Sequence, residues 1–264
     1  MNNNIEVFLN SFEIIFLIFC RVSGMFVSAP FYGAISIPMT VKNAIAFFIA
    51  LTMFPIIAKM GYFKIPPTFF GYSLLIVQEL SIGLIIGFCT TIVFTLFAAS
   101  GELYSTQLGL GMINVVDPLS QIQIPIIGQL LGIVGTLIFF LCQAHYLLLM
   151  AIFKSYELLP SLTVNSFSPL CKNIIDLFVN SFILAFSLAL PIIGVVFICT
   201  VAIGLSSKAS PQMNIMVLGW PIQILLGFIT LTILLPIIFN LGYDAFDNLF
   251  ERISKMFLEM GASN

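Results

Sequence analysis

Charge is what this sequence has least of. Only 8% of its 264 residues are Asp, Glu, Lys or Arg, with nine basic and eleven acidic side chains and a formal net charge of −2. Soluble domains carry roughly 25% charged residues, so an integral membrane protein is expected. Without an excess of positive charge there is no field to hold a phosphate backbone, and nucleic acid is excluded as a partner. Histidine is rarer still, His145 being the only one. A metalloprotease centre needs two or three His or carboxylate ligands at helical spacing, and no metal set of that kind is present. No serine in a G-x-S-x-G-like setting accompanies His145 to make a hydrolase. The cysteines are five, Cys20, Cys89, Cys142, Cys171 and Cys199, an odd number without a C-x-x-C. Four lie inside apolar stretches and read as small hydrophobes rather than as a disulfide framework. The opening MNNNIEVF lacks the basic region of a cleavable signal, the first basic residue being Arg21, so the first apolar block is expected to be retained. No repeat relates the two halves, as paired transporter halves would. Neither a cofactor nor enzymatic activity is expected.

What is abundant is apolar sequence: 60% of the chain is hydrophobic. Apolar blocks run over about 8–28, 41–58, 71–99, 124–153, 177–206 and 213–240, each near or above the ~20 residues of a spanning helix. The expected fold is therefore all-α, with about six long, partly kinked apolar helices. Block 124–153 is too long for one straight span, at about 45 Å against a hydrocarbon core of ~30 Å; tilting, kinking or burial against protein would absorb the excess. Pro55, Pro191 and Pro236 fall inside blocks and would kink or break their helices unless neighbours satisfy the freed carbonyls. Gly83 and Gly87, and Gly128 and Gly132 with Gly135 beyond, stand at the spacing that lets helix backbones approach closely. Basic residues favour both termini in the cytoplasm, with Lys59, Lys64, Lys154, Lys172, Arg252 and Lys255 on one side against Lys42 and Lys208 on the other.

Three charged residues interrupt the blocks: Glu13, Arg21 and Glu79. A charge at a helix centre costs roughly 2.5–3.5 kcal/mol on insertion scales, so partners or water must be near. Arg21 with Glu79 is the expected structural pair, a proton relay being the alternative; Glu102 is kept as a further candidate for such a pair. Gly101-Glu102 and Asp117-Pro118 read as boundary signals rather than catalytic carboxylates. The segment GELYSTQLGLGMINVVDP between them, 101–118, is uncharged through most of its length. It carries Leu108, Leu110, Met112, Ile113, Val115 and Val116, side chains that water disfavours by roughly 25 cal/mol for each Å² exposed. They need a dry place, in a protein interior or the throat of a pore. The C-terminal 244–260 sets Phe246, Leu249, Phe250, Ile253, Phe257 and Met260 on one helical face. Glu251 and Lys255 are placed for an i,i+4 pair. An interfacial helix is the plain reading and a docking helix the sharper one.

Taken in order, several stretches resemble one family. They are RVSGMFVSAPFYGAISIP (Arg21, Gly24, Pro30, Pro38), QELSIGLIIGF (Glu79, Gly83, Gly87), GELYSTQLGLGMINVVDP, AHYLLLMAIFKSYELLP (His145, Ser155, Pro160) and SPQMNIMVLGWPIQI (Pro211, Gln212, Asn214, Gly219, Pro221). Together they resemble the R subunit of the bacterial flagellar type III export gate, related to the T subunit of virulence injectisomes. Lys42 stands where that family more often has arginine, and Gln143-Ala144 where Asn-Gly is usual.

The resemblance implies a non-enzymatic subunit that assembles with P and Q subunits around a secretion pore. It further implies contact with the B subunit and the basal-body ring, passage of unfolded flagellar export substrates, and a place in the inner membrane at the flagellar basal body. It divides the chain into an N-terminal helical part, 1–176, with a plug loop at about 101–123; a Q-subunit-like helical hairpin, 177–243; and an amphipathic tail, 244–264. The plug itself corresponds to Gly109, Leu110, Gly111, Met112, Ile113, Asn114, Val115, Val116, Asp117 and Pro118, an apolar constriction that water and ions avoid with glycines that let the backbone move aside. The rival readings are an injectisome T subunit and a proton-coupled small-molecule transporter.

Overall fold

A computed structural model describes residues 2–33, 37–61, 65–66, 68–109, 126–159, 166–209 and 215–262, with side chains except at 2–10, 207, 209 and 215–218. Among the described residues all regular structure is helical. The helices are α1 (Asn2–Ser28), α2 (Met39–Met60), α3 (Phe69–Gln107), α4 (Ile126–Leu141), α5 (Ala144–Leu158), α6 (Phe167–Ala209) and α7 (Ile215–Ala262). Five are long and apolar enough to cross a membrane, or six when α4 and α5 count as one bent span.

The overlong block is resolved by a break, not by tilt. α4 and α5 meet at 64° across Cys142 and Gln143. Gln143 takes a left-handed conformation, φ 52° and ψ 29°. Its carbonyl accepts from the Tyr146 and Leu147 amides and so starts α5. The prolines, by contrast, break nothing: α2 runs through Pro55, α6 through Pro191, and α7 through Pro221 and Pro236. The Tyr104 hydroxyl donates to the Leu188 carbonyl at 2.6 Å. The carbonyl that Pro191 leaves without a helical donor is that of Ser187, the residue just before Leu188.

The chain divides into two compact units. The first holds residues 1–92, 143–177 and 247–264; the second holds 93–142 and 178–246. Within the first, α1 and α3 run in the same direction in close contact. A Cβ on Gly24 would stand 2.5 Å from the Leu80 carbonyl oxygen; one on Gly83 would collide with the Arg21 carbonyl, and one on Gly87 with the Ser28 hydroxyl. Ser28 Oγ donates to the Leu84 carbonyl at 3.0 Å, and Thr91 Oγ1 to the Ser28 carbonyl at 2.6 Å. Gly24 and Ser28 on α1 are thus the counterpart of Gly83 and Gly87 on α3, four small residues closing one seam.

The C-terminal stretch corrects the interfacial reading. Leu249, Ile253, Phe257 and Met260 are buried within the first unit, so this helical face is used by the chain itself. Asn173 Nδ2 donates to Glu259 Oε2 at 2.7 Å and holds α6 to α7 there. The ion pair on this helix is Lys255 with Glu259 at 3.9 Å rather than with Glu251; at such exposure it contributes little.

The second unit is built on phenylalanine. Phe246 stands 5.2 Å from Phe94, 6.0 Å from Phe97 and 5.6 Å from Phe139, ring centre to ring centre. Phe97 fits where Gly135 and Gly242 leave room, since a Cβ on either would lie 2.7–2.8 Å from its ring. Gly101 is not a boundary. It lies within α3, where a Cβ would stand 2.5 Å from Gly128 Cα, because two glycines are what let these backbones meet. Gly132, expected to pack, has nothing within 4 Å of a Cβ.

Two outcomes test this packing. Gly83→Ala sets a methyl on backbone that moves only with α1, an overpacking cost of about 1–3 kcal/mol; Gly132→Ala enters open space and gains up to ~1 kcal/mol of helix propensity. Thermal melts in detergent should fall for the first and hold or rise for the second. Gln143→Asn suits a left-handed position better and should raise the melt slightly, by no more than ~1 kcal/mol.

Candidate functional site

A charge in the apolar interior needs a partner within reach, and the close α1–α3 seam supplies one. Arg21 is fully buried and Glu79 is 1% exposed. Arg21 Nε donates to Glu79 Oε2 at 2.7 Å and Nη2 to Oε1 at 2.8 Å, a two-pronged bond. The third nitrogen, Nη1, donates to Ser155 Oγ at 2.7 Å. The Ser155 hydroxyl in turn donates to the Ile152 carbonyl at 2.5 Å. The Tyr156 hydroxyl donates to Glu79 Oε2 at 3.3 Å, while its ring lies under the guanidinium, 3.7 Å from Cζ. Three helices, α1, α3 and α5, are therefore tied at one point in the first unit.

Each position follows from helical geometry. Glu79 precedes Gly83 by one turn, so the glycine that lets α3 touch the Arg21 backbone also delivers the carboxylate to the Arg21 side chain. Ser155 and Tyr156 are neighbours near the end of α5. One meets the edge of the guanidinium and the other its face. Both carboxylate oxygens of Glu79 are occupied, which is the chemistry of a clamp, not of a group that hands protons on. Uncharged side chains in SYEL carry no signal of depth, so the sequence does not mark Ser155 and Tyr156 as members of the pair.

The other candidate residues lie elsewhere. Glu102 is exposed on α3 and takes no part in this network. Glu13 is half-buried, and its backbone carbonyl accepts from the Tyr72 hydroxyl at 3.2 Å. His145 sits half-buried in the first turn of α5. Among the described residues no three His, Cys, Asp or Glu side chains gather as metal ligands do. Of the expected plug only Gly109 is described; 110–118 lies outside the described residues. Gly109 ends α3 in a left-handed conformation, φ 72°, with its amide donating to the Thr106 carbonyl at 3.2 Å. Just before it, Leu108 is buried and its side chain fills the notch at Gly227 of α7.

Glu79→Gln leaves a guanidinium buried without its countercharge, at a cost of about 3–5 kcal/mol. It should abolish recovery of folded protein from detergent. The double change Arg21→Met with Glu79→Leu removes both charges and should restore most of that recovery, as read by size-exclusion chromatography.

Comparison with known proteins places these features in a family. The sequence model described as bacterial export proteins, family 1, matches residues 12–249. The flagellar biosynthetic protein FliR of Bacillus subtilis (strain 168) is 28% identical along the whole of both chains. FliR of Escherichia coli (strain K12) is 26% identical over 97% of each. The Yop proteins translocation protein T of Yersinia pestis is 32% identical over 73% of this chain and 74% of its own length. With nearly the whole length matched, this chain belongs to the bacterial export proteins, family 1.

Proposed function

We propose that the chain is the R subunit of a flagellar type III protein-export gate in the bacterial inner membrane, at the flagellar basal body. The observation that carries this reading is likeness along the full length to proteins named for flagellar biosynthesis. The T-type relative is similar over a shorter stretch, which favours the flagellar branch over an injectisome. The relatives are named for biosynthesis and translocation, in keeping with a structural rather than catalytic part.

In this reading R joins P and Q subunits around a central pore, beside the B subunit and basal-body ring, and unfolded export substrates pass through. The hairpin 177–243 takes a Q-like place, followed by the tail 244–264. Gly109, Leu110, Gly111, Met112, Ile113, Asn114, Val115, Val116, Asp117 and Pro118 form the plug. Apolar side chains at a constriction exclude water and ions, and methionine adapts to an irregular ring. Support comes from the described start of that loop. Leu108 sits in the Gly227 notch just before it, and Gly109 supplies a backbone that tolerates a left-handed turn.

Deleting 110–116 in the full chain should leave copurification with P and Q subunits intact while cells begin to leak ions, read as loss of membrane potential with a voltage-sensitive dye. A barrier that stays tight after the deletion would sink the plug assignment. Loss of copurification in the unaltered chain would sink the subunit assignment.

A further inference from the structure

The cavity between the end of α1 and the start of α2 is built for a ligand that nothing above assigns. Its volume is about 210 Å³, and it is lined by Ser23, Phe26, Val27, Gly33, Met39, Lys42 and Asn43. Two of these are exposed apolar side chains at its mouth, Val27 at 59% and Met39 at 63%. The back wall is firm: the Phe26 ring stacks on Tyr32 with centres 4.4 Å apart and planes within 3°. The polar groups are the informative part. Among the described residues the Lys42 ammonium has no carboxylate within ion-pair distance. An ammonium and a carboxamide, from Lys42 and Asn43, thus line one largely apolar hollow, and together they ask for an anion with oxygen acceptors.

The setting narrows the anion. The candidate span Ser11–Ser28 ends, and the span Met39–Met60 begins, at this cavity, so it lies on one face of the membrane at the level of the lipid headgroups. At about 210 Å³ it is smaller than the ~300–1,000 Å³ of drug-sized pockets. It holds a headgroup and the first part of a chain, leaving the rest along the exposed apolar surface. Basic pockets between spanning helices are the usual sites for anionic headgroups. We infer that this cavity binds the phosphate-bearing head of an anionic phospholipid, with Lys42 as countercharge, Asn43 as hydrogen-bonding partner, and Val27 and Met39 against the upper acyl chain. The site lies wholly within the first unit and does not depend on the plug reading.

Native mass spectrometry of the delipidated full chain in detergent tests this, titrated separately with phosphatidylglycerol, phosphatidylcholine and inorganic phosphate. Phosphatidylglycerol should bind tighter than phosphatidylcholine. Lys42→Gln should weaken it about fivefold, the weight of one basic residue near an anionic surface, while Lys42→Arg retains it. Val27→Trp, which fills the mouth without touching a charge, should also lower occupancy, and the exposed Lys172→Gln should not. Equal affinity for the two lipids, or binding unchanged in Lys42→Gln, overturns the site. Competition by inorganic phosphate as strong as by lipid reassigns it to free anions and overturns the lipid. A Lys42→Gln chain that keeps its lipid but loses copurifying gate subunits makes the cavity a protein socket, which overturns it equally.

Discussion

An arginine cannot sit in an apolar interior unless every one of its donors is directed to something, and that requirement organises the first unit. Three Arg21 nitrogens find Glu79 and Ser155, and the guanidinium face lies on Tyr156. Taking both charges out of water is costly, and a buried pair is weak evidence of net stability. What it supplies is register. Sliding α3 by one residue along α1 would carry Glu79 about 1.5 Å along the axis and about 100° around it. The carboxylate would then leave a guanidinium that has no water to turn to. The glycines set how near the helices come, and the ion pair sets where.

The second unit reaches the same end without charge. Phe97 occupies the room left by Gly135 and Gly242, Leu108 the notch at Gly227, and Gly101 meets Gly128. Large side chains facing missing ones are a steric code, effective where dispersion and close packing, not the hydrophobic effect, must hold helices together. Both devices hold α3, whose residues before and after position 92 fall in different units. One helix therefore reads its neighbours by charge at one end and by shape at the other.

Much of this was legible in the sequence, and the gaps have physical causes. The helical blocks follow from hydropathy alone, and their number matches the spans. Arg21 and Glu79 stand out because charge in an apolar run has few explanations. Gly83 and Gly87 were visible as a pair, but Gly24 and Ser28 were not, since small residues at that spacing are common and only a partner surface gives them meaning. Gly101 misled because a glycine beside an acidic residue resembles a turn, whereas here its missing side chain admits Gly128. The break at Gln143 carries no glycine or proline to announce it; a 30-residue apolar run said that something must give, but not where. The tail deceived in the opposite sense. Its amphipathic face is real, yet periodicity cannot tell whether such a face meets lipid, a partner or the chain itself.

Length supplies the last constraint. The apolar run 177–206 within α6 measures about 45 Å as a helix, and would need a tilt near 50° to fit a ~30 Å core, beyond the 0–40° that spanning helices adopt. Many of its large side chains are exposed, Phe178, Phe182, Phe186, Phe197 and Ile198 among them. Whatever part of that surface lies beyond the hydrocarbon would be wet, at roughly 25 cal/mol for each Å². Two phenylalanines left in water over about half of their 150–250 Å² each would forfeit roughly 4–6 kcal/mol, a large part of a domain's typical 5–15 kcal/mol of stability. A chain that keeps such a helix unbroken through Pro191, instead of breaking it as α4 and α5 are broken, leaves a surface that the proposed assembly would cover. A transporter working alone would gain nothing from that surface, whereas the proposed assembly would use it.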